Sequence, residues 1–67
     1  MRYKDIKKWQ DKITDYLKAR PGQYVKIDDI RIDLLCPVFT PAFDRAWREL
    51  AICGTVVSNG NSIRINQ

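Results

Sequence analysis

The chain contains no histidine and only two cysteines among its 67 residues. Without histidine, neither a serine nor a cysteine has the base that activates nucleophiles in the commonest hydrolytic sites. A structural zinc site needs four ligands, which two cysteines cannot supply. The three glycines are isolated from one another, so no glycine-rich phosphate loop is present either. We therefore expect no enzymatic activity, no metal and no cofactor.

The two cysteines, Cys36 and Cys53, are also too few for a disulfide scaffold. Two buried thiols in a reducing cytosol are the favoured interpretation. A single Cys36–Cys53 disulfide is the alternative, and the sequence does not decide between them.

Long apolar runs are missing as well. The longest, Ala51–Val57, is too short to cross a bilayer and is interrupted by Gly54 and Thr55. The N-terminal lysines are not followed by the apolar segment of a signal peptide. The sequence therefore predicts a cytoplasmic protein with no membrane partner, and we expect no small-molecule ligand.

Charge of both signs is present but unevenly distributed. Residues 1–20 hold seven Lys or Arg against three Asp, a net charge of +4. Residues 21–39 hold two Lys or Arg against three Asp, a net charge of −1. Residues 40–67 hold three Arg against one Asp and one Glu, a net charge of +1, so the whole chain has a net charge of +4. Length and composition predict one small globular domain over residues 1–67, basic enough to suit a polyanionic partner.

The first segment has the apolar periodicity of an amphipathic helix. Its apolar stripe consists of Ile6, Trp9, Ile13, Tyr16 and Leu17. This spacing predicts a helix from about Lys4 to Ala19, which Arg20-Pro21-Gly22 would end.

The middle of the chain is less regular. Residues 23–26 predict a short strand. Asp28 and Asp29 favour a helix start, with Ile27 preceding the N-cap, and predict a short helix from Asp29 to Leu35. The alternation of Ile30, Ile32 and Leu34 allows a strand instead, in a different α+β domain.

A second amphipathic helix is predicted over residues 41–52. Thr40 is a good N-cap whose hydroxyl would accept from the first turn, and Pro41 suits the first helical position. Gly54 is placed to end the helix in a left-handed conformation. The buried stripe consists of Phe43, Ala46, Trp47 and Leu50, and the opposite face carries Pro41, Arg45, Arg48 and Ile52.

A β-hairpin is predicted directly after this helix. A two-residue turn at Asn59-Gly60 pairs Val56 with Ile63, and a turn at Gly60-Asn61 is the alternative. Both turns place Val56, Ile63 and Ile65 on one face, with Val57 and Arg64 on the other.

The order of these elements resembles the winged helix-turn-helix superfamily. The resemblance spans Ile6 to Ile65 and depends on the TPAFDRAWREL helix, Gly54 and the VVSNGNSIRI hairpin. It implies an α+β fold with three helices, a short strand and a C-terminal two-stranded wing. It also implies a double-stranded DNA partner, with helix 41–52 in the major groove and wing 55–66 on the backbone or minor groove. Such a protein would be a transcriptional regulator or a phage or plasmid accessory factor.

Candidate contact residues follow from the resemblance. Those of the recognition helix are Thr40, Ala42, Asp44, Arg45, Arg48 and Glu49. Those of the wing are Asn59, Asn61 and Arg64. Further phosphate contacts are expected from Lys4, Lys7, Lys8, Lys26 and Arg31. We expect these cations to share one face.

A protein–protein interaction module of the same fold is the alternative function. The acidic residues of helix 41–52 offset its two arginines, and Ile52 projects outward. A protein partner, or a second copy of the chain, would then bind through Ile52 or through the first helix.

Overall fold

Three helices pack on one side of a three-stranded antiparallel sheet in the computed structural model, which describes residues 2–66. The elements are α1 Tyr3–Lys18, β1 Val25–Lys26, α2 Ile27–Asp33, α3 Pro41–Ile52, β2 Val56–Asn59 and β3 Ser62–Ile65. The strand order is β1-β3-β2, so the last strand lies in the middle of the sheet. The predicted α+β class and the three helices are confirmed.

The core is a single apolar cluster to which all three helices and the sheet contribute. The α1 residues Ile6, Trp9, Ile13 and Leu17 are buried, as the predicted stripe requires. The α3 residues Ala42, Phe43, Ala46 and Leu50 pack from the other side. Where these two helices meet, the rings of Trp9 and Phe43 are in edge-to-face contact, with centroids 5.7 Å apart and an interplanar angle of 76°.

Helix α2 begins two residues earlier than predicted. Lys26 is its N-cap residue, so the prediction that Asp28 caps this helix is wrong. Ile27 and Ile30, at spacing i, i+3, face the core, and the backbone N–H of Ile27 donates to the carbonyl of Asn61 at 2.8 Å. Burial and this hydrogen bond to the hairpin outweigh the preference of Asp28 for a cap. The alternative strand over Ile30–Leu34 is also wrong.

Helix α3 has the predicted bounds, but its first turn is capped differently. Thr40 occupies the N-cap position, yet its hydroxyl donates to the carbonyl of Pro37 at 2.9 Å instead of accepting from the first turn. At the other end Gly54 has φ of +83°, and the N–H groups of Gly54 and Thr55 donate to Ala51 and Leu50. This glycine-ended termination is the one predicted.

The hairpin uses the second of the two predicted turns. Asn59 pairs with Ser62, so Gly60 and Asn61 form the turn, and Gly60 takes the positive φ of +63° that this turn needs at its first position. Val56 therefore pairs with Ile65, and the predicted Val56–Ile63 pair is wrong. The predicted face is confirmed, because Val56, Ile63 and Ile65 are all buried. The amide of Asn66 donates to the carbonyl of Gly54 at 2.8 Å, which ties the base of the hairpin to the end of α3.

Leu35 ends helix α2 in the conformation usually taken by glycine. Its φ is +57°, and the N–H groups of Leu35 and Cys36 donate to Ile32 and Arg31. The leucine side chain is 88% exposed, so its burial does not compensate for this backbone conformation.

We predict that Leu35→Gly stabilises the protein by about 1 kcal/mol relative to Leu35→Ala. A left-handed conformation costs roughly 1–2 kcal/mol for a residue with a Cβ. Glycine avoids this cost but loses more conformational entropy on folding, so its net advantage over alanine is smaller than the full cost. Alanine is the matched control because it removes the side chain and retains the Cβ. Urea unfolding at low protein concentration measures the difference, and equal stability of the two variants would contradict the assignment of strain to Leu35.

Tyr16 lies at the edge of the predicted apolar stripe and is half-buried. Its hydroxyl donates to the carboxylate of Asp33 and so links α1 to α2. This hydrogen bond, together with partial desolvation, raises the pKa of Tyr16 above its ordinary value of 10.0, while the nearby charge of Arg20 acts in the opposite direction.

We predict that Tyr16 contributes stability that is lost at alkaline pH. Because its folded pKa is raised, this contribution is fully present below about pH 10 and declines as the pH rises through the folded pKa. Urea unfolding of the wild type and Tyr16→Phe between neutral and alkaline pH tests this. The stability gap between the two proteins should narrow above about pH 10, whereas a gap independent of pH would contradict the role of the hydroxyl.

Candidate functional site

The outer face of α3 is an exposed helix surface that carries two arginines. Pro41, Arg45, Arg48 and Ile52 recur at i, i+4, i+7 and i+11, opposite the buried stripe. Together with Asp44 and Glu49 they line a shallow depression of about 560 Å³. Ile52 is 84% exposed. This outer face therefore presents two guanidinium groups between apolar residues at its two ends.

Glu49 is held between α1 and Arg45. Its Oε1 accepts from Arg45 Nε at 3.1 Å, and its Oε2 accepts from Gln10 Nε2 at 3.2 Å. Within residues 2–66, this ion pair leaves both terminal nitrogens of Arg45 without a protein partner. The two terminal Nη atoms of Arg45 therefore remain available to donate hydrogen bonds to a ligand.

Arg48 is exposed and takes part in no ion pair within residues 2–66. Its guanidinium carbon lies 5.6 Å from the centroid of the neighbouring Trp47 ring. A guanidinium at the middle of the outer face, without a carboxylate partner, is the group best placed to bind an anion.

Asp44 and Arg31 contact each other instead of facing solvent independently. Arg31 Nη2 donates to Asp44 Oδ1 at 3.0 Å, and Nη1 donates to Asp28 Oδ1 at 3.2 Å. The guanidinium also lies over the Phe43 ring, 5.3 Å from its centroid. Arg31 therefore offsets the charge of Asp44 and fixes α2 against α3, and its predicted phosphate contact would require two ion pairs to break.

A second depression of about 410 Å³ lies between α2, α3 and the hairpin turn. Lys26, Asn61 and Ser62 line it beside the Arg31–Asp44 pair and Trp47. The Nε of Arg31 and the Nε1 of Trp47 are buried without a hydrogen-bond partner among residues 2–66. Asp44 borders both depressions, so Lys26 and Asn61 adjoin the outer face of α3.

Ala42 does not lie on the outer face, and its prediction as a contact residue is wrong. It is only 7% exposed and belongs to the core. The spacing of Ala42, Ala46 and Leu50 at i, i+4 and i+8 was the signal for this burial, since residues four apart share a helix face. Thr40, half-exposed with its hydroxyl bound to Pro37, also has a structural role.

The remaining predicted cations do not join this face. Arg64 is half-buried on the outer side of the sheet, where Nη1 donates to the carbonyl of Ile65 and the guanidinium lies 5.4 Å from the Tyr24 ring centroid. Lys4 and Lys8 lie about 200° around α1 from the buried Ile6, outside its buried stripe, and Lys8 Nζ lies 5.3 Å from the centroid of the Trp9 ring. Lys7 pairs with Asp11 at 3.1 Å. The expectation that all the cations share one face is therefore wrong.

The hairpin turn exposes the side chains of Asn59 and Asn61. The carbonyl of Asn61 is occupied by the N–H of Ile27, but no side-chain hydrogen bond within residues 2–66 uses either amide. Both amides are therefore available to a ligand that approaches the turn.

Both cysteines are free thiols, so the alternative disulfide is wrong. Cys36 is buried as predicted, whereas Cys53 is exposed at the end of α3. Among residues 2–66, no three acidic or cysteine side chains are grouped as metal ligands would be. In the same part of the chain, no helix is long and apolar enough to span a bilayer.

A second group of exposed apolar residues, not expected from the sequence, lies in the segment from α2 to α3. Its four large apolar residues are Ile32, Leu35, Val38 and Phe39, which are 68–94% exposed. We refer to these four residues as the connector patch. For this segment the sequence predicted only the end of a short helix at Leu35.

Comparisons with protein-family models, curated proteins and solved structures find no match to this chain.

We predict that Arg31→Lys destabilises the protein by about 1 kcal/mol. Lysine keeps the charge but cannot bridge Asp28 and Asp44 with two coplanar nitrogens, and the exposure of both carboxylates keeps the loss modest. Arg48→Lys is the control, since Arg48 has no ion pair to lose and should change stability by less than about 0.5 kcal/mol. Chemical denaturation compares them, and equal effects would show that the Arg31 bridge contributes nothing.

Proposed function

We propose that the chain is a small winged-helix DNA-binding protein, with α3 as the recognition helix and the β2–β3 hairpin as the wing. The observation that carries the proposal is the pair Arg45 and Arg48 on a helix face that the core leaves open. The order of three helices followed by a hairpin, and the β1-β3-β2 sheet, are compatible with this class. A transcriptional regulator or a mobile-element accessory factor is the biological role that such a domain suits.

The dimensions of α3 support insertion into the major groove. Its 12 residues form a rod about 18 Å long, and the groove, about 12 Å wide, admits an α-helix. In that position the free terminal nitrogens of Arg45 and the whole guanidinium of Arg48 would reach guanine edges or phosphates. Ile52 and Pro41 would supply apolar contact with thymine methyl groups.

The local ion pairs reduce the main electrostatic objection to this proposal. Asp44 and Glu49 would repel phosphates if they were free, and they make α3 itself neutral. Arg31 pairs with Asp44 and Arg45 with Glu49, so that both carboxylates are bound and Arg48 is left without an ion-pair partner. Because Arg31 also pairs with Asp28, the group of six charged residues has a net charge of zero.

The hairpin turn would contact the backbone beside the recognition helix. Asn61 and Lys26 line the depression that adjoins Asp44, and Asn59 is exposed at the same turn. An amide and an ammonium group at this position suit a phosphate that flanks the groove. Arg64 is directed to the other side of the sheet and would contribute little.

A protein-binding domain is the second candidate, because Ile52 is 84% exposed on the same helix face. An exposed isoleucine next to two arginines also suits an acidic, partly apolar protein surface. Binding of duplex DNA and its dependence on salt separate the two candidates.

We predict that the protein binds labelled duplex DNA at about 50 mM salt and loses affinity steeply towards about 200 mM, as expected when phosphate counterions are released. Arg45→Ala/Arg48→Ala should weaken binding by about tenfold or more. Lys4→Ala/Lys8→Ala is the matched control, because it removes the same charge from the far side of α1 and should have a smaller effect.

Fluorescence anisotropy measures all three proteins at both salt concentrations. Absence of binding by the wild type at about 50 mM salt would contradict DNA binding by this domain. Equal losses of DNA affinity in the two double variants would contradict the assignment to α3, because they would show that affinity depends only on the net charge of the protein.

A further inference from the structure

The hairpin carries the only Asn-Gly pair of the chain, Asn59-Gly60, where β2 enters the turn. Both residues are exposed, and the side-chain amide of Asn59 makes no hydrogen bond within residues 2–66. An asparagine followed by glycine can react with its own main chain, because glycine has no side chain to shield its nitrogen. We propose that Asn59 is a site of non-enzymatic deamidation, with water as the co-reactant.

The reaction needs only these two residues and water. The main-chain nitrogen of Gly60 loses its proton and attacks Cγ of Asn59. A bond forms between this nitrogen and Cγ, the bond from Cγ to Nδ2 breaks, and ammonia leaves with the proton. Water then opens the cyclic imide. Cleavage between Cγ and the Gly60 nitrogen gives aspartate, whereas cleavage at the main-chain carbonyl of Asn59 gives isoaspartate. In both cases one water is consumed, one ammonia is released, and a carboxylate replaces the amide.

The attacking nitrogen is unrestrained in the folded hairpin. Asn59 pairs with Ser62, so Gly60 is the first of the two turn residues. Its N–H donates to no backbone acceptor in the part of the chain that the structure describes. Among the same residues, no atom outside its chain neighbours lies within 4 Å of the position that a Cβ of Gly60 would occupy. Neither a hydrogen bond nor a packed side chain therefore holds this nitrogen in place.

The main chain has to rotate before the two reacting atoms can meet. Asn59 is the last residue of β2, and its extended conformation keeps Cγ away from the following nitrogen. Only the terminal pair of the hairpin, Asn59 with Ser62, must open to allow the rotation. Pairs at the end of a ladder open locally, at a much smaller cost in free energy than global unfolding. The reaction is therefore expected in the folded protein.

The two other asparagines, Asn61 and Asn66, are held by their surroundings. The carbonyl of Asn61 accepts from the N–H of Ile27 at 2.8 Å. The nitrogen that follows Asn61 belongs to Ser62, which is paired with both neighbouring strands. The side-chain amide of Asn66 donates a hydrogen bond of 2.8 Å to the end of α3. The reaction therefore belongs to Asn59 and spares its neighbours.

The products would change the hairpin in two ways. In isoaspartate the main chain runs through Cβ and Cγ, which inserts one extra carbon atom between β2 and the turn. The pair of Asn59 with Ser62 cannot then keep its register, and the contact of Asn61 with Ile27 is displaced. Both products also lower the net charge of +4 by one. The new carboxylate would repel phosphate at the turn, and only this last consequence rests on the proposed function.

Incubation of the folded protein at mildly alkaline pH, followed by fragment-ion mass spectrometry, tests the proposal. The exchange of NH2 for OH should accumulate at Asn59 while Asn61 and Asn66 stay intact. The rate should rise with pH, because the attacking nitrogen must lose a proton. Asn59→Gln should lose the reaction, since the longer side chain closes the imide ring poorly. Asn61→Gln is the matched control at the same turn and should leave the rate at Asn59 unchanged.

The urea-unfolded chain, incubated in parallel, is the reference for the rate. A folded protein in which Asn59 stays intact after the unfolded chain has reacted completely would overturn the proposal, as would reaction of Asn61 at the same rate. Amide chemical shifts of the incubated protein report the structural consequence. Signals of Ile27 and of residues 58–62 should change in the wild type and stay constant in Asn59→Gln. Unchanged signals in wild type that has reacted would contradict the displaced register.

Discussion

The packing of α1 against α3 is the constraint on which the remaining structure depends. Trp9 and Phe43 meet edge to face with centroids 5.7 Å apart, and Ile13 and Ala46 are fully buried in the same cluster. Once Phe43 and Ala46 face α1, the helical period directs Arg45 and Arg48 outward. The same contact directs Lys4 and Lys8 to the far side of α1, so a packing interaction between apolar residues determines which cations can act together.

Much of the fold could be predicted from local sequence patterns that are consistent with the packing of the core. The apolar stripes predicted α1 and α3 to within a residue, Gly54 ended α3 as expected, and alternation placed Val56, Ile63 and Ile65 on the buried face. The start of α2 was harder to predict, because the hydrogen bond from Ile27 to Asn61 joins positions distant in sequence. The hairpin register required a choice between two turns that place the same residues on the same face.

The candidate site was less predictable than the fold, because its charges interact across elements. Net charge suggested that Asp44 and Glu49 cancel the arginines of α3. In the structure Arg31 of α2 pairs with Asp44, and Gln10 of α1 shares Glu49 with Arg45. These partners lie 13 and 39 residues apart, beyond the reach of any helical spacing rule. Two surfaces with different chemistry result: an outer face of α3 that carries Arg45 and Arg48 beside paired carboxylates, and the exposed apolar residues of the connector patch.

Amide chemical-shift mapping with duplex DNA locates the surface that the DNA contacts. If the outer face of α3 is that surface, the largest changes will lie in residues 44–52 and at the hairpin turn, with little change along the outward face of α1. Saturable changes centred instead on residues 32–39 or on α1, or no changes at low salt, would contradict it.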